Sequence, residues 1–165
     1  RAVAEYNTEA DGAGGFVETA HGGAKADEEI RALATTDLRR EMIVNEDSAH
    51  LLTATTTTAD STSYINLTEY RPNYLKYDYY ASDETFAVFS EIYYDKGWQA
   101  YLDGEPREHF RADYILRGMV LPAGKHTVEF RFRAENFAKV SAVTLLFSLL
   151  ILASVLAAVF AAVIC

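Results

Sequence analysis

The stretch His126-Thr127-Val128-Glu129-Phe130-Arg131-Phe132-Arg133 decides the fold class. Val128, Phe130 and Phe132 fall on one side of an extended chain, and Thr127, Glu129, Arg131 and Arg133 fall on the other. Successive side chains of a strand point to opposite faces, so this segment reads as a strand with one face on a core and one in water. Immediately upstream, Pro122-Ala123-Gly124 marks a tight connection to another apolar stretch, Tyr114–Leu121.

Working towards the N-terminus, Trp98–Leu102, Phe86–Tyr93, Asn73–Ala81, Ser63–Tyr70 and Leu51–Thr58 are rich in Tyr, Phe and β-branched residues and read as strands. Asp103-Gly104 after Trp98–Leu102 is a strong hairpin signal, and Arg71-Pro72 breaks the run between two more strands. The fold class expected is mainly β: an antiparallel β-sandwich of about seven or eight strands, with Greek-key connections. A small barrel is the architectural rival. Residues 1–50 read as a lead-in segment, with short strands expected at Phe16–Thr19 and Met42–Val44 and a helix over 27–35. In that helix Asp27 is the expected N-cap, Glu28 and Glu29 suit the first turn, and Ile30, Leu33 and Ala34 share a face.

Downstream of the alternating strand the pattern changes completely. Val140 to Cys165 is a run of 26 residues with no charged side chain. At about 1.5 Å per residue a helix of this length extends roughly 39 Å, against a hydrocarbon core about 30 Å thick. The expected division is therefore 1–50 lead-in, 51–137 β-sandwich and 138–165 transmembrane helix, with the lipid bilayer as the partner of the last. Ser141, Thr144, Ser148 and Ser154 can bond to the preceding turn of such a helix. Ala142, Ser148, Ala153, Ala157 and Ala161 offer small surfaces for close helix packing. A start at Arg1 and an end inside the apolar run are expected of a piece of a longer chain.

The formal net charge is −9, of which −7 falls in residues 1–60. An acidic surface repels phosphate backbones, so no nucleic acid is expected as a partner. Cys165 is the only cysteine, which rules out an internal disulfide and a thiolate-rich metal site. The four histidines are widely scattered, and the sequence calls for no cofactor and no metal. There is no Gly-x-Ser-x-Gly elbow, no His-Glu-x-x-His and no phosphate-cradling Gly loop. The pairs Asp83/Glu84 and Asp103/Glu105 sit at expected turns, where carboxylates are solvated rather than tuned for acid–base work.

Ten of the 11 tyrosines lie between Tyr64 and Tyr114, with Trp98 among them. Aromatic faces stack on the C–H faces of sugar rings, while neighbouring polar groups take the hydroxyls. Tyr94, Asp95, Trp98, Tyr101 and Arg111, with Asp113, are the candidate glycan contacts. The competing assignment places most of these aromatics, Trp98 above all, in the sandwich core.

The order Phe89-Ser90-Glu91-Ile92-Tyr93-Tyr94-Asp95-Lys96-Gly97-Trp98-Gln99-Ala100-Tyr101-Leu102-Asp103-Gly104, then Tyr114-Ile115-Leu116-Arg117-Gly118, then Pro122-Ala123-Gly124-Lys125-His126, resembles the late signature of YfhO-type bacterial membrane proteins. Gly15-Phe16-Val17 and Asp27-Glu28-Glu29-Ile30-Arg31-Ala32-Leu33 resemble the same proteins upstream. The resemblance implies a polytopic protein similar to the GT-C class of glycosyltransferases, which take sugar from a polyprenyl-phosphate carrier on the outer side of the cytoplasmic membrane. It implies that this chain is the extracytoplasmic β-domain and last helix of such a protein, a scaffold or acceptor-binding part. Its partners would be upstream transmembrane helices of the same protein and a cell-envelope glycan. The family's catalytic acid would lie upstream of Arg1, so no catalytic residue is assigned here. The alternative is a membrane-tethered carbohydrate-binding or assembly module with no enzymatic role.

Overall fold

The alternating segment becomes the strand Gly124–Phe132, flanked on both sides by antiparallel neighbours in a five-stranded sheet. In spatial order this sheet holds Tyr64–Arg71 (β4), Tyr74–Ala81 (β5), Gly124–Phe132 (β11), Trp98–Leu102 (β7) and Glu105–Arg107 (β8). A second sheet of six strands runs Gly14–Val17 (β1), Thr85–Ile92 (β6), Leu116–Leu121 (β10), Phe110–Ala112 (β9), Glu41–Asn45 (β3) and Thr19–Ala24 (β2). The computed structural model describes residues 12–58, 60–133 and 137–164, with side chains in the last stretch described at 144–156 and 159. The chain divides into two compact units, Arg1–Phe132 and Arg133–Cys165.

The sheets meet through the faces that the sequence pattern assigns. Leu75, Tyr77 and Tyr79 of β5 and Val128 and Phe130 of β11 pack with Ala87 and Phe89 of β6 and Met119 and Leu121 of β10. Ring contacts there are edge-on, with centroids 4.8 Å apart for Tyr77–Phe89 and 4.9 Å for Phe89–Phe130, the geometry that aromatic quadrupoles favour. The opposite face of the six-stranded sheet is buried too. Phe86, Phe110, Ala112, Val120, Met42 and Val44 form a second cluster there, covered by Leu51 and Leu52. This second layer explains the nearly continuous burial of β10, which is typical of a strand enclosed on both faces. Gly118 belongs to it: a Cβ at that position would lie 2.3 Å from the Phe110 ring.

Several expectations are corrected. Residues 12–50 are not a lead-in, since β1, β2 and β3 are three of the six strands of one sheet. The described residues form 11 strands rather than seven or eight, and the β2–β3 pair is parallel. Leu51–Thr58 is not a strand. A short 3-10 helix, Glu46–Leu51, leads into it, and its two leucines are drawn onto the second core; only Thr56 bridges to Thr19. Tyr114–Leu121 is split, because the chain turns at Asp113 and Tyr114 with positive φ before β10 begins. The helix Ala26–Leu33 (α1) starts before Asp27, with Lys25 at the cap position and the Glu28 carboxylate accepting from the Lys25 N–H at 3.2 Å. Its buried residue is Glu29, while Ile30 is 49 % exposed, the reverse of the expected apolar face. The Asp103-Gly104 hairpin does form, with φ of 50° and 87°, the paired positive angles of a type I′ turn.

The second unit contains one helix, Phe137–Ile164 (α2), 28 residues long. Ser148 Oγ donates to Thr144 O at 2.9 Å and Ser154 Oγ to Ile151 O at 2.7 Å, the local satisfaction expected of these hydroxyls. Among the described residues no helix is long and apolar enough to cross a membrane. The side chains of Ser141, Ala142, Ala157 and Ala161, and Cys165, lie outside the described residues.

Candidate functional site

An open cleft of about 450 Å³ forms where β6, β9 and the start of the 3-10 helix converge. The end of β6 and the loop after it supply Ile92, Tyr93, Tyr94 and Asp95. Arg111 of β9 and Tyr114 from the following loop form the facing wall, and Asn45, Asp47 and Ser48 close one end. A backbone bond from the Tyr93 N–H to Ile115 O, 2.7 Å, ties the two walls together. Tyr94 and Asp95 are exposed, so their side chains are presented to solvent rather than used in packing.

The floor is held by a buried carboxylate. Glu29, fully buried on α1, places Oε2 2.8 Å from Arg111 Nη2 and 3.3 Å from Asn45 Nδ2. Among the described residues its other oxygen, Oε1, has no hydrogen-bond partner, and neither does Arg111 Nε. Arg111 also lies over the Tyr114 ring, 5.6 Å from its centroid. Tyr114 is aimed there by a strained turn: Asp113 and Tyr114 have φ of 49° and 70°, a region that side chains other than Gly and Asn rarely occupy. Asp113 pins this turn to β3, its N–H donating to Ile43 O at 2.8 Å and its Oδ1 accepting from the Ile43 N–H at 2.9 Å. Burial pushes the Asp113 carboxyl up to about pH 6, with the Glu29 charge adding to the rise and the Ile43 N–H opposing it.

The candidate residues separate into two places. Tyr94, Asp95 and Arg111 line the cleft together. Trp98 and Tyr101 border a different groove, of about 340 Å³, at the β7–β8 edge. They lie three positions apart on one strand and therefore point to opposite faces. Trp98 packs on the inter-sheet core, 5.4 Å from the Phe132 ring centroid and with the Arg117 guanidinium 4.2 Å from its own. The Tyr101 ring lies under Arg131 at 4.3 Å, and its hydroxyl donates to Gln99 Oε1 at 2.9 Å. Asp113 does not line the cleft; it borders a separate pocket with Leu38 and Leu116. Glu29, Asn45 and Tyr114 carry no signal in the sequence, because only the sheet order places α1, β3 and the β9–β10 turn side by side.

Chemically the cleft presents aromatic faces from Tyr93, Tyr94 and Tyr114, two rim carboxylates from Asp47 and Asp95, and an amide and a hydroxyl from Asn45 and Ser48. That combination suits a polyhydroxylated ring, with apolar C–H faces on the tyrosines and hydroxyls on the polar groups. No His or Cys lines it, and among the described residues no group of His, Cys, Asp and Glu is arranged to hold a metal.

Part of the signature lines the cleft, namely Ile92 to Asp95 with Tyr114 and Ile115, and the rest serves the fold. Gly97-Trp98 and Leu116-Arg117-Gly118 meet in the Trp98–Arg117 stack. Asp103-Gly104 and Lys125-His126 meet in a latch: Asp103 Oδ2 is 2.6 Å from His126 Nδ1, and Asp103 Oδ1 accepts from the Thr127 N–H at 2.8 Å. The Asp103 bond holds the His126 imidazole above its ordinary range. A family model described as bacterial membrane protein YfhO matches residues 34–144, about two thirds of the chain. No curated protein and no solved structure matches it significantly.

Proposed function

Because the chain belongs to the YfhO family of bacterial membrane proteins, we infer that its β-rich unit is an extracytoplasmic domain and that its cleft is an acceptor-glycan site. In this reading α2 is the membrane span that follows the domain in a cytoplasmic-membrane protein. The full-length protein is a GT-C-like transferase that moves sugar from a polyprenyl-phosphate carrier to a cell-envelope glycan. The chemistry is assigned to residues upstream of Arg1, and this domain holds or scaffolds the acceptor. The observation that carries the reading is the convergence of Tyr94, Asp95 and Arg111 on one concave, solvent-open surface of about 450 Å³. That volume lies within the roughly 300–1,000 Å³ range of small-ligand sites.

The test is glycan-array binding by the full chain in nanodiscs, repeated with Tyr94→Ala. Tyr94 is 50 % exposed and belongs to neither core cluster, so its loss is expected to abolish binding while leaving the melting temperature unchanged. Glycan binding that survives Tyr94→Ala would remove the cleft from the mechanism. Apolar spans encoded upstream of Arg1 would support the transferase reading. A start codon directly before Arg1 would leave a membrane-tethered glycan-binding module, which the same cleft serves equally well.

A further inference from the structure

We propose that the cleft selects amine-bearing over phosphate-bearing glycans, and that the buried carboxylate of Glu29 sets this preference. The inference rests on the glycan-binding reading above and adds the charge of the ligand to it.

Arg111 is the only basic residue on the walls. A guanidinium in a cleft would ordinarily mark an anion site, since its fork matches phosphate oxygens. Here Glu29 Oε2 already holds the Nη2 edge at 2.8 Å from a fully buried position, and Asn45 braces the same oxygen. The pair is neutral as a unit. What remains at the rim is Asp47 and Asp95, both exposed and with no ion pair among the described residues. Ligand therefore meets a negative field, which the chain's net charge of −9 reinforces. An ammonium on a sugar ring is attracted to Asp95 and Asp47 and can lie over Tyr94 or Tyr114. A phosphate meets two carboxylates with no ion pair among the described residues and an arginine whose charge Glu29 already balances. Glu29 precedes the matched residues 34–144, so the family match does not itself supply this pairing.

The experiment uses the full chain in nanodiscs of zwitterionic lipid, titrated with three tetrasaccharides of one backbone: N-acetylated, free-amine and 6-phosphorylated. At low ionic strength the free-amine probe is expected to bind about fivefold or more tighter than the acetylated one. The phosphorylated probe is expected to bind weaker by a similar factor, with both gaps closing near 0.3 M salt as the exposed charges are screened. Glu29→Gln keeps the side-chain shape but releases the Arg111 charge, and is expected to raise phosphate-probe affinity about tenfold. Asp95→Asn, on an exposed side chain, is expected to narrow the amine preference severalfold whether or not the Glu29 variant folds. A phosphorylated probe that binds the wild-type chain as tightly as the amine probe overturns the proposal. Acetylated and charged probes binding equally would sink the charge preference while leaving the glycan reading intact. Binding of none of the three would remove the glycan reading and this inference together.

Discussion

Arg111 and Arg117 are register partners on adjacent strands, β9 and β10, so two like charges stand opposite each other on one face of a sheet. Such a pairing is destabilising unless each charge finds its own compensation. Arg111 finds a carboxylate, Glu29, and turns into the cleft. Arg117 finds none in contact among the described residues. It lies buried with its guanidinium 4.2 Å from the Trp98 centroid and 5.0 Å from that of Phe130, its Nε donating to Ile92 O at 3.0 Å. Its Nη1 has no partner among the described residues, and burial pulls its pKa below the usual guanidinium value. The same residue type therefore lines an open cleft in one position and packs in the core in the other. Whether an arginine marks a binding surface depends on what neutralises it, not on its presence.

The largest effect that breaks this comparison is expected from Trp98→Ala. It removes a ring packed on Phe132 and strips one face from a buried guanidinium, a combined loss of about 3 kcal/mol. Chemical denaturation should show it as a lower midpoint with an unchanged slope. Glycan affinity measured well below the transition should stay at the wild-type value, because the cleft is built from other residues. A lost affinity with unchanged stability would return Trp98 to the ligand surface.

The next effect separates the two arginines directly. Glu29→Ala leaves Arg111 without its carboxylate and α1 without its buried anchor, and is expected to cost about 2 kcal/mol. Arg117→Met replaces an unpaired buried charge with an apolar chain of similar reach whose sulfur also contacts aromatic rings. Stability is expected to stay within about 1 kcal/mol of the wild type. Equal losses in the two variants would mean that the π faces compensate Arg117 as fully as a carboxylate compensates Arg111.

These contrasts also show what the sequence could and could not reveal. The five-stranded sheet was legible because β11 alternates with period two, β5 and β7 are rich in strand-forming aromatics, and Asp103-Gly104 fixes the hairpin. The same rule already separates Trp98 from Tyr101, whose odd spacing puts them on opposite faces of β7. The six-stranded sheet was harder. Its central strands are buried on both faces and lose alternation, while Leu51–Thr58 has strand-forming residues but is claimed by the second core. The cleft was half legible: Tyr94 and Asp95 follow a strand end and read as exposed. Glu29 did not, because a charged residue in a first helical turn normally faces water. Only its 82-residue-distant contact with Arg111 places it inside.

The smallest effect is a pair of opposed pH dependences, one on each side of the comparison. Asp113, two residues after Arg111 and bonded to Ile43, has its carboxyl raised from 3.8 to about 6. His109, whose ring lies 5.6 Å from that of Phe130 on the Arg117 side, is pushed down from 6.5 to about 4 by burial and then by the Arg117 charge. Between these limits the folded state holds the Asp113 proton more tightly than the unfolded chain does, so this group's contribution to stability falls as pH rises from about 4 to 6. For His109 the unfolded chain holds the proton more tightly, and its contribution falls as pH drops from about 6.5 to 4. The two slopes cancel in the wild type. Asp113→Asn keeps an acceptor for the Ile43 N–H and tolerates the positive φ, so it should expose the His109 slope and make the protein more acid-sensitive. His109→Phe should expose the opposite slope, with stability rising towards pH 4 relative to wild type. Each deviation is expected to be on the order of 1 kcal/mol per pH unit. Urea midpoints of the three proteins across this range decide the matter: variants whose deviations from wild type share a sign would show that the two buried groups do not oppose each other, and the electrostatic division between the Arg111 and Arg117 sides would fail with them.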